Sequence, residues 1–358
     1  METQPNGKKD GAKVANATPE RISELSVGMA TKMKNSLKQI DEINLQVRLL
    51  AFNAQVQAAR AGDAGRSFAV VASEMGNLSV KTSTVAEQLA TETSADLGEL
   101  AEISKQLSSD VRGTRLSDLA LTNIDLIDRN LYERSCDVRW WATDSSAVEA
   151  LSLASQESRA YASRRLGVIL DAYTVYHDIV LCDLKGRVIA NGRPGKFSSS
   201  GMDASGFEWF LAAKKTRSGD EFGFQSVHPS PLVNGKHILT YSCGVRAGGL
   251  ANGSLLGVLG ILFNWESLAQ TIVKNTPLTP EEKSRTRVCI TDKNGMVLAD
   301  TSDAILRETI SFSSRDTLFA SGKSFQIVQI GAKKALVAHA FSPGYETYAT
   351  GWHSLIIQ

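Results

Sequence analysis

The feature that most constrains this chain is a long stretch after Pro19 that lacks proline and repeats apolar residues every seven positions on both sides of a glycine pair. Seven-residue spacing keeps a narrow apolar stripe facing a partner helix, which is the condition for a coiled coil. Gly62 and Gly65 allow the positive φ that a sharp reversal needs. The pattern predicts an antiparallel helical hairpin over residues 18–112, with its tip near residues 61–66.

The apolar stripe can be assigned residue by residue. Its predicted members are Ile22, Met29, Met33, Ile40, Ile43, Val47, Leu50 and Ala54 in the first arm, and Val71, Met75, Leu78, Val85 and Leu89 in the second. One hairpin buries too little apolar surface to be stable alone, so two copies are expected to pair as a four-helix bundle. Thr18 provides a side-chain oxygen at the predicted helix start. Residues 1–17 carry almost no large apolar side chain and are expected to be disordered.

Composition excludes several classes of protein. With 358 residues the chain can form two or three domains, and a net charge of +1 argues against a nucleic-acid surface. No apolar run approaches the roughly 18 residues of a membrane span, and no secretory signal is visible. The four cysteines have none of the spacings that hold zinc and are expected to be reduced thiols; they are Cys136, Cys182, Cys243 and Cys289. We therefore expect a cytoplasmic protein without metal or cofactor.

The remainder of the chain predicts helices followed by strands. Residues 113–175 are expected to form a long helical connector that starts at a soft joint, Gly113, and breaks near Thr143, where Asp144 is a suitable N-cap. Period-two alternation then predicts strand–turn–strand over residues 177–190. A short helix at 207–215 and strands at 221–227, 236–245 and 255–264 complete a first module, residues 176–276.

A second strand–turn–strand unit repeats the first about a hundred residues later. The two copies read Ile-Val-Leu-Cys-Asp-Leu-Lys-Gly-Arg-Val-Ile-Ala and Val-Cys-Ile-Thr-Asp-Lys-Asn-Gly-Met-Val-Leu-Ala. This repetition predicts a second, smaller module over residues 277–358. The fold class expected is α+β: a helical hairpin, then a long helix and two related α/β modules.

The segment from Ile40 to Leu89 resembles the kinase-control tip of methyl-accepting chemotaxis proteins. Its core, which begins at Asn53, reads Asn-Ala-x-x-x-Ala-Ala-Arg-Ala-Gly-x-x-Gly-Arg-x-Phe-Ala-Val-Val-Ala. The resemblance implies homodimeric hairpins that gather as trimers of dimers. It also implies that the tip binds a coupling protein, CheW, and a chemotaxis histidine kinase, CheA. A generic coiled coil is the alternative, but periodicity alone does not require two arginines and two glycines at the apex.

The resemblance assigns roles by position. The trimer-forming face of the family corresponds to Leu45, Leu49, Phe52, Gln57 and Arg60. The surface that binds the coupling protein and the kinase corresponds to Asn53, Phe68 and Val70, with Glu74 on the second arm. The turn corresponds to Gly62, Asp63, Gly65 and Arg66. Four residues depart from the family pattern, which has Leu at Phe52, Glu at Gln57 and Asp63, and Arg at Gly76. Neutral Gln57 removes an ion-pair partner from Arg60. The sequence therefore leaves open whether this chain forms mixed trimers with ordinary receptors.

Adaptation is also left open by the sequence. Glu87 and Gln88, flanked by small residues, superficially match the methylation pattern of the family. Typical receptors carry their methylated glutamates farther from the tip, and a solvated coiled-coil face is the alternative interpretation.

Residues from Leu116 to Gln358 resemble the double Cache family, in which a long helix precedes two PAS-like modules. Members that bind amino acids have Arg at the position of Phe207, Tyr at that of Phe210 and Asp at that of Leu262. Because all three polar anchors are missing, the resemblance argues against an α-amino acid ligand.

An aromatic pocket in the first module remains as the candidate ligand site. Its expected lining is Trp209, Phe210, Phe222, Phe224, His228 and Tyr241, with ordinary core packing as the alternative. His177 and His228 lack the spacing of a metal or haem site. Of the adjacent pair Trp140 and Trp141, only one can face a single core.

The sequence thus predicts a cytoplasmic chemoreceptor that senses a small molecule or intracellular state and regulates a chemotaxis histidine kinase. The alternative is a non-sensing interaction protein of receptor arrays. An enzyme is not expected, because no Ser/His/Asp order, P-loop or metal motif occurs.

Overall fold

The computed structural model describes residues 19–358. The predicted disordered segment 1–17 and the predicted helix start at Thr18 lie outside the described residues. The chain divides into two compact units, with the boundary between Arg112 and Gly113. We call the part before this boundary the hairpin unit and residues 113–358 the sheet unit.

Eight helices and ten strands make up the described part of the chain. The helices are α1 (Pro19–Arg60), α2 (Arg66–Trp141), α3 (Ser145–Leu153), α4 (Gln156–Ala172), α5 (Glu208–Lys214), α6 (Trp265–Lys274), α7 (Pro280–Arg285) and α8 (Arg315–Phe319). The strands are β1 (Tyr176–Asp183), β2 (Val188–Asn191), β3 (Gly223–Ser230), β4 (Lys236–Arg246), β5 (Leu255–Asn264), β6 (Arg287–Thr291), β7 (Val297–Asp300), β8 (Lys323–Ile330), β9 (Lys333–Phe341) and β10 (His353–Ile357). Helix α2 contributes residues to both units.

The two arms of the hairpin unit pack through a row of small residues spaced by seven. Its buried members are Asn44, Ala51 and Ala58 on α1 and Gly65, Ala72, Ser79 and Ala86 at and after the turn. The Ser79 hydroxyl donates to the Asn44 carbonyl at 3.0 Å, and the Asn44 amide donates to Ser83 Oγ at 3.4 Å. Small side chains let the two helix backbones approach closely, so this row is the contact between the arms.

The apolar stripe predicted from the heptads is not this contact. Its exposed members are Ile22, Met29, Ile43, Leu50, Ala54, Val71, Met75, Leu78, Val85 and Leu89, while Met33, Ile40 and Val47 are half-buried. Seven-residue spacing fixes a stripe on a helix but not which helix covers it. Within one hairpin, the large apolar residues therefore remain uncovered.

The sheet unit contains two five-stranded antiparallel sheets of the same topology. Their strand orders are β2-β1-β5-β4-β3 and β7-β6-β10-β9-β8. Each strand of the first sheet thus has a counterpart five strands later in the second. The prediction of two related modules is confirmed, although β8, β9 and β10 were not predicted individually.

The repeated turns that revealed the two modules share their hydrogen bonds. The Asp183 carboxylate accepts from the backbone N–H groups of Lys185 and Arg187 at 2.9 and 3.0 Å. The Asp292 carboxylate likewise accepts from Asn294 and Met296, at 2.8 and 2.9 Å. The following glycines, Gly186 and Gly295, have φ of 85° and 87°, which a residue with a Cβ rarely adopts.

One core holds the sheet unit together around the second half of α2. Leu116, Ile124, Ile127 and Leu131 are fully buried in a cluster that includes residues from one face of each sheet. We call these the inner faces. A smaller cluster under α5 covers the outer face of the first sheet, and a third cluster under α8 covers that of the second.

The predicted break near Thr143 is confirmed, but a second break was missed. Asp144 caps α3 by accepting from the Ser146 N–H, as expected. The chain then breaks again at Ala154, whose φ is 53°, and Ser155 caps α4. The stretch therefore contains three helical segments where two were predicted.

Helix α2 is fixed within the sheet unit by a buried carboxylate. Asp128 accepts hydrogen bonds from Ser342 Oγ at 2.6 Å, Gly344 N at 2.8 Å, Thr350 Oγ1 at 2.7 Å and Thr350 N at 3.2 Å. Four donors satisfy the desolvated charge that burial would otherwise make costly. The loop before β10 is thereby attached to the helix.

Gly113 does not interrupt the helix. Helix α2 continues through it, and a Cβ at this position would lie 2.3 Å from Cδ2 of Phe325 on β8. The predicted soft joint is therefore a point of close packing, where an aromatic ring occupies the space of a missing side chain.

Candidate functional sites

The turn of the hairpin unit requires glycine at two positions for different reasons. Gly62 has φ of 62°, the left-handed region that favours glycine. Gly65 has an ordinary φ, but a Cβ there would lie 2.1 Å from the carbonyl oxygen of Ala58. Arg66 pairs with Asp63 across the turn at 3.0 Å, and both side chains are exposed. The apex is thus a tight reversal with charged groups on its surface.

The contact residues predicted for the tip are all exposed. They are Leu45, Leu49, Phe52, Asn53, Gln57, Arg60, Phe68, Val70 and Glu74. Phe68 and Val70 are 72% and 68% exposed, which is unusual for large apolar side chains that are so close together. The amide of Asn77 donates to Glu74 at 3.2 Å. Glu87 and Gln88 are exposed as well, so the methylation prediction remains open.

The second candidate site lies on the outer face of the first sheet, under α5. Trp209 and Phe210 of α5 are fully buried there and meet edge to face at a centroid distance of 6.1 Å. The Trp209 ring lies over Gly260, where a Cβ would come within 2.8 Å of it. Phe207 stacks on Trp209 at 6.2 Å. The absence of a side chain at Gly260 therefore makes room for the indole against the sheet.

Three polar atoms on this layer have no hydrogen-bond partner among the described residues: Trp209 Nε1, Thr240 Oγ1 and His228 Nε2. His228 Nδ1 lies 2.8 Å from the Ser226 carbonyl oxygen. Since a carbonyl only accepts, Nδ1 carries the proton and Nε2 of the neutral ring is an acceptor. Burial lowers the pKa of His228, which favours that neutral form. The site offers an N–H donor, a hydroxyl and an acceptor, all uncharged.

The structure separates the predicted aromatic lining into two groups. Tyr241 and Phe224 are paired across β4 and β3 on the inner face, the opposite side from Trp209. Phe222 packs on the same core, with its ring centroid 5.9 Å from that of Tyr241. The Tyr241 hydroxyl lies 2.5 Å from that of Tyr348. The prediction that Tyr241, Phe222 and Phe224 share one pocket with Trp209 was therefore wrong. Alternate residues of a strand point to opposite faces, and Tyr241 and Phe224 point to the inner one.

Other sequence expectations have simple outcomes. Trp141 is buried against Tyr173 and Tyr176, whereas Trp140 is exposed, so only one of the pair faces the core. All four cysteines lie in the described part of the chain and are free. Within residues 19–358, no cluster of three His, Cys, Asp or Glu side chains is placed to hold a metal ion. Over the same residues, no helix combines the length and apolarity that crossing a membrane requires.

Sequence comparison identifies the hairpin. Residues 2–122 match the model of the methyl-accepting chemotaxis protein signalling domain. The chain is 42% identical over 83 residues to methyl-accepting chemotaxis protein PscA of Pseudomonas syringae pv. tomato, which is 22% of this chain and 13% of that protein. It is 38% identical over 79 residues to methyl-accepting chemotaxis protein I of Escherichia coli, covering 22% of this chain and 14% of that protein. The N-terminal part of the chain thus matches the signalling domain of this family, and the chain spans only a small fraction of these relatives.

Structural comparison identifies the fold of the remainder. The ligand-binding domain of the Campylobacter jejuni chemoreceptor Tlp3, in complex with 4-methylisoleucine, matches with a TM-score of 0.52 at 16% identity, covering 70% of this chain and 90% of that domain. The sensor domain of the Vibrio cholerae histidine kinase DctB matches with a TM-score of 0.50 at 14% identity, covering 69% and 98%. At such low identity the likeness concerns the fold alone, which this chain shares with these two sensory domains.

Proposed function

We propose that this chain is a chemoreceptor that regulates the histidine kinase CheA, together with the coupling protein CheW, through the tip of its hairpin. The observation that carries the proposal is the exposed apolar surface beside the turn, with Phe68 and Val70 at its centre. An apolar patch of this kind on a soluble surface marks an interaction site. Its sequence is the part of the chain that matches the family, and the proposal places the protein in the cytoplasm with its kinase.

The same reasoning supports a homodimer. The large apolar residues of the heptads are exposed within a single hairpin, although the arms already meet through small residues. A second hairpin would cover that stripe and complete a four-helix bundle. Gathering of dimers into trimers through Leu45, Leu49 and Phe52 is part of the proposal.

For the input, we propose that a small uncharged molecule binds on the outer face of the first sheet. The unpartnered Trp209 Nε1–H, Thr240 hydroxyl and His228 Nε2 would hydrogen-bond such a ligand. Phe207, Phe210 and Leu262 supply no charge, so an α-amino acid would find no ion-pair partner there. Binding would shift the packing of the sheet unit around α2, which also forms the second arm of the hairpin.

A reconstituted array of the full chain with CheA and CheW tests the output. Val70→Glu places a charge in the apolar patch and is expected to lower kinase coupling at least tenfold, as is Arg60→Ala. The matched control is Val168→Glu, because Val168 is also exposed (59%) but lies on α4 of the sheet unit. Normal kinase control by the Val70→Glu variant would exclude the tip assignment.

The same assay addresses the alternative of a non-sensing array protein. Metabolite pools of uncharged and charged compounds are added to the reconstituted array, and kinase activity is recorded. A response to a pool that is lost in Trp209→Phe supports sensing at the outer face. Stable incorporation into arrays without a response to any pool would favour the alternative.

A further inference from the structure

The sheet unit contains a cavity whose lining does not include Trp209. Its volume is about 290 Å³. It lies between the end of α2 and strand β4, and its lining includes Cys136, Arg139, Gly219, Asp220, Cys243 and Arg246. Cys243 belongs to the inner-face core, and none of the outer-face residues Trp209, His228 and Thr240 lines the cavity.

Arg246 is the unusual member of this lining. The residue is only 8% exposed, and it is held by backbone carbonyls: Nη1 donates to Gly253 O at 3.1 Å and Nη2 to Thr216 O at 2.7 Å. Its Nε–H is buried and has no partner among the described residues. No carboxylate of the described chain forms an ion pair with it. A buried guanidinium with a free donor is costly unless an acceptor is supplied from outside.

Arg139 brings a second guanidinium to the same cavity. Its Nε donates to Ser135 O at 2.9 Å, Nη1 to Asp220 O at 3.3 Å and Nη2 to Cys136 Sγ at 3.4 Å. Two of these acceptors are backbone carbonyls and the third is a sulfur, so this charge is also without a carboxylate partner in the described chain. The two arginines thus contribute two positive charges that the protein itself leaves unneutralised.

The remaining charge around the cavity does not cancel this excess. Asp220 is the one carboxylate of the lining, and its side chain is exposed, with Ser218 Oγ donating to it at 3.5 Å. Burial raises the pKa of the Cys243 thiol to about 11, so that it adds no negative charge at neutral pH. The cavity is therefore positive in its interior and open to a small solute.

We infer that this cavity binds a small oxyanion, carried by a carboxylate or a phosphate group, through Arg139 and Arg246. The planar fork of arginine matches both groups, and hydrogen bonds between charged partners are the strong ones. The volume lies at the lower end of the range for small-molecule sites, which restricts the ligand to a few non-hydrogen atoms beyond the anion. This site does not depend on the proposed function, because an anion could bind whether or not the chain regulates a kinase.

Calorimetric titration of the full chain with inorganic phosphate and, separately, with malonate tests the inference. One of the two probes is expected to bind saturably with one site per chain, and the better probe distinguishes phosphate from carboxylate chemistry. Arg139→Gln should raise the Kd at least tenfold. Arg217→Gln is the matched control, since it removes an exposed arginine next to the cavity that does not line it.

A second measurement tests the inference even if the Arg139→Gln variant fails to fold. Cys136 is half-exposed, whereas the other three cysteines are buried, so alkylation followed by mass spectrometry reports on this cavity in the unmodified protein. The bound probe should slow alkylation of Cys136 at least threefold. Absence of saturable binding and of protection with both probes, or equal weakening by Arg217→Gln, would overturn the inference.

Discussion

The two units of this chain place similar side chains in opposite environments. In the hairpin unit the interior row consists of small residues such as Ala51 and Ala72, while Leu49 and Phe52 are exposed. In the sheet unit Ile127 and Leu131 are fully buried on the same helix, α2, whose earlier residues form the hairpin. The difference shows that the sheet unit completes its core with its own chain, whereas the hairpin unit leaves large apolar side chains exposed.

This contrast gives the same substitution different consequences in the two units. All five tryptophans lie in the sheet unit, so intrinsic fluorescence reports on its unfolding alone, whereas helical circular dichroism reports on both units.

The largest expected effect is that of Leu131→Ala. Removing a fully buried leucine should lower the free energy of unfolding of the sheet unit by about 3 kcal/mol, from lost transfer energy and the cavity that remains. Leu49→Ala, at an exposed position of the tip, should change the free energy of unfolding of the hairpin unit by less than about 0.5 kcal/mol. Urea unfolding measures the first variant by tryptophan fluorescence and the second by circular dichroism at 222 nm, which also reports on the hairpin unit. Equal effects would contradict the contrast between the units.

The second prediction concerns a buried histidine pair on the outer face of the second sheet. His339 Nε2 and His353 Nδ1 lie 2.8 Å apart, and Phe319 stacks on His353 at a centroid distance of 3.9 Å. Burial lowers the pKa of His339 to about 3 and that of His353 to about 4. Both rings are therefore neutral in the folded state at pH values where unfolded histidine, with a pKa near 6.5, takes up protons.

Below pH 6.5 the unfolded chain binds more protons than the folded chain. The stability that the neutral pair contributes is therefore present above that pH and is lost as the pH falls towards 4. Between pH 7 and pH 5.5 the pair should account for a loss of about 2 kcal/mol in the free energy of unfolding. Urea midpoints of the sheet unit at several pH values measure the slope. The double variant His339→Gln, His353→Gln should flatten it, and an unchanged slope would show that the pair is not responsible.

The smallest expected effect separates two glycines of the hairpin unit. Gly98 is an exposed glycine inside α2, and no atom lies within 4 Å of where its Cβ would be. Gly98→Ala should therefore stabilise the helix by about 1 kcal/mol. The same change at Gly65 creates a contact of 2.1 Å with Ala58 O and should destabilise the turn instead. Thermal unfolding followed at 222 nm compares the two, and stabilisation by Gly65→Ala would show that the turn does not need this close approach.

Local signals in the sequence were sufficient for the turn and for the repeated modules. Gly62 and Gly65 marked the reversal, and Asp183 and Asp292 mark turns whose backbone hydrogen bonds depend on those side chains. Such features are decided by residues a few positions apart. They can therefore be predicted without knowledge of the rest of the fold.

Features that depend on distant partners could not be predicted in the same way. The heptads define a stripe, but the close approach through Ala51 and Ala72 is decided by which helix lies opposite. Tyr241 looked equivalent to Trp209 because both are aromatic. The alternation of side chains along β4 points Tyr241 to the inner face, whereas Trp209 of α5 packs on the outer face. The unpartnered Nε of Arg246 has no signature in sequence, since it results from acceptors that are absent around it.

Gly113 shows how a single missing side chain alters the mechanics of a helix. Were it a flexible joint, a movement of the second sheet would be absorbed there. Instead the Phe325 ring packs directly against the backbone of Gly113, and the helix continues through the contact. A displacement of β8 would then act on α2 through the Phe325 ring and would not be absorbed at a flexible glycine. Strand β8 therefore contacts α2 at Gly113, the residue where the sheet unit begins.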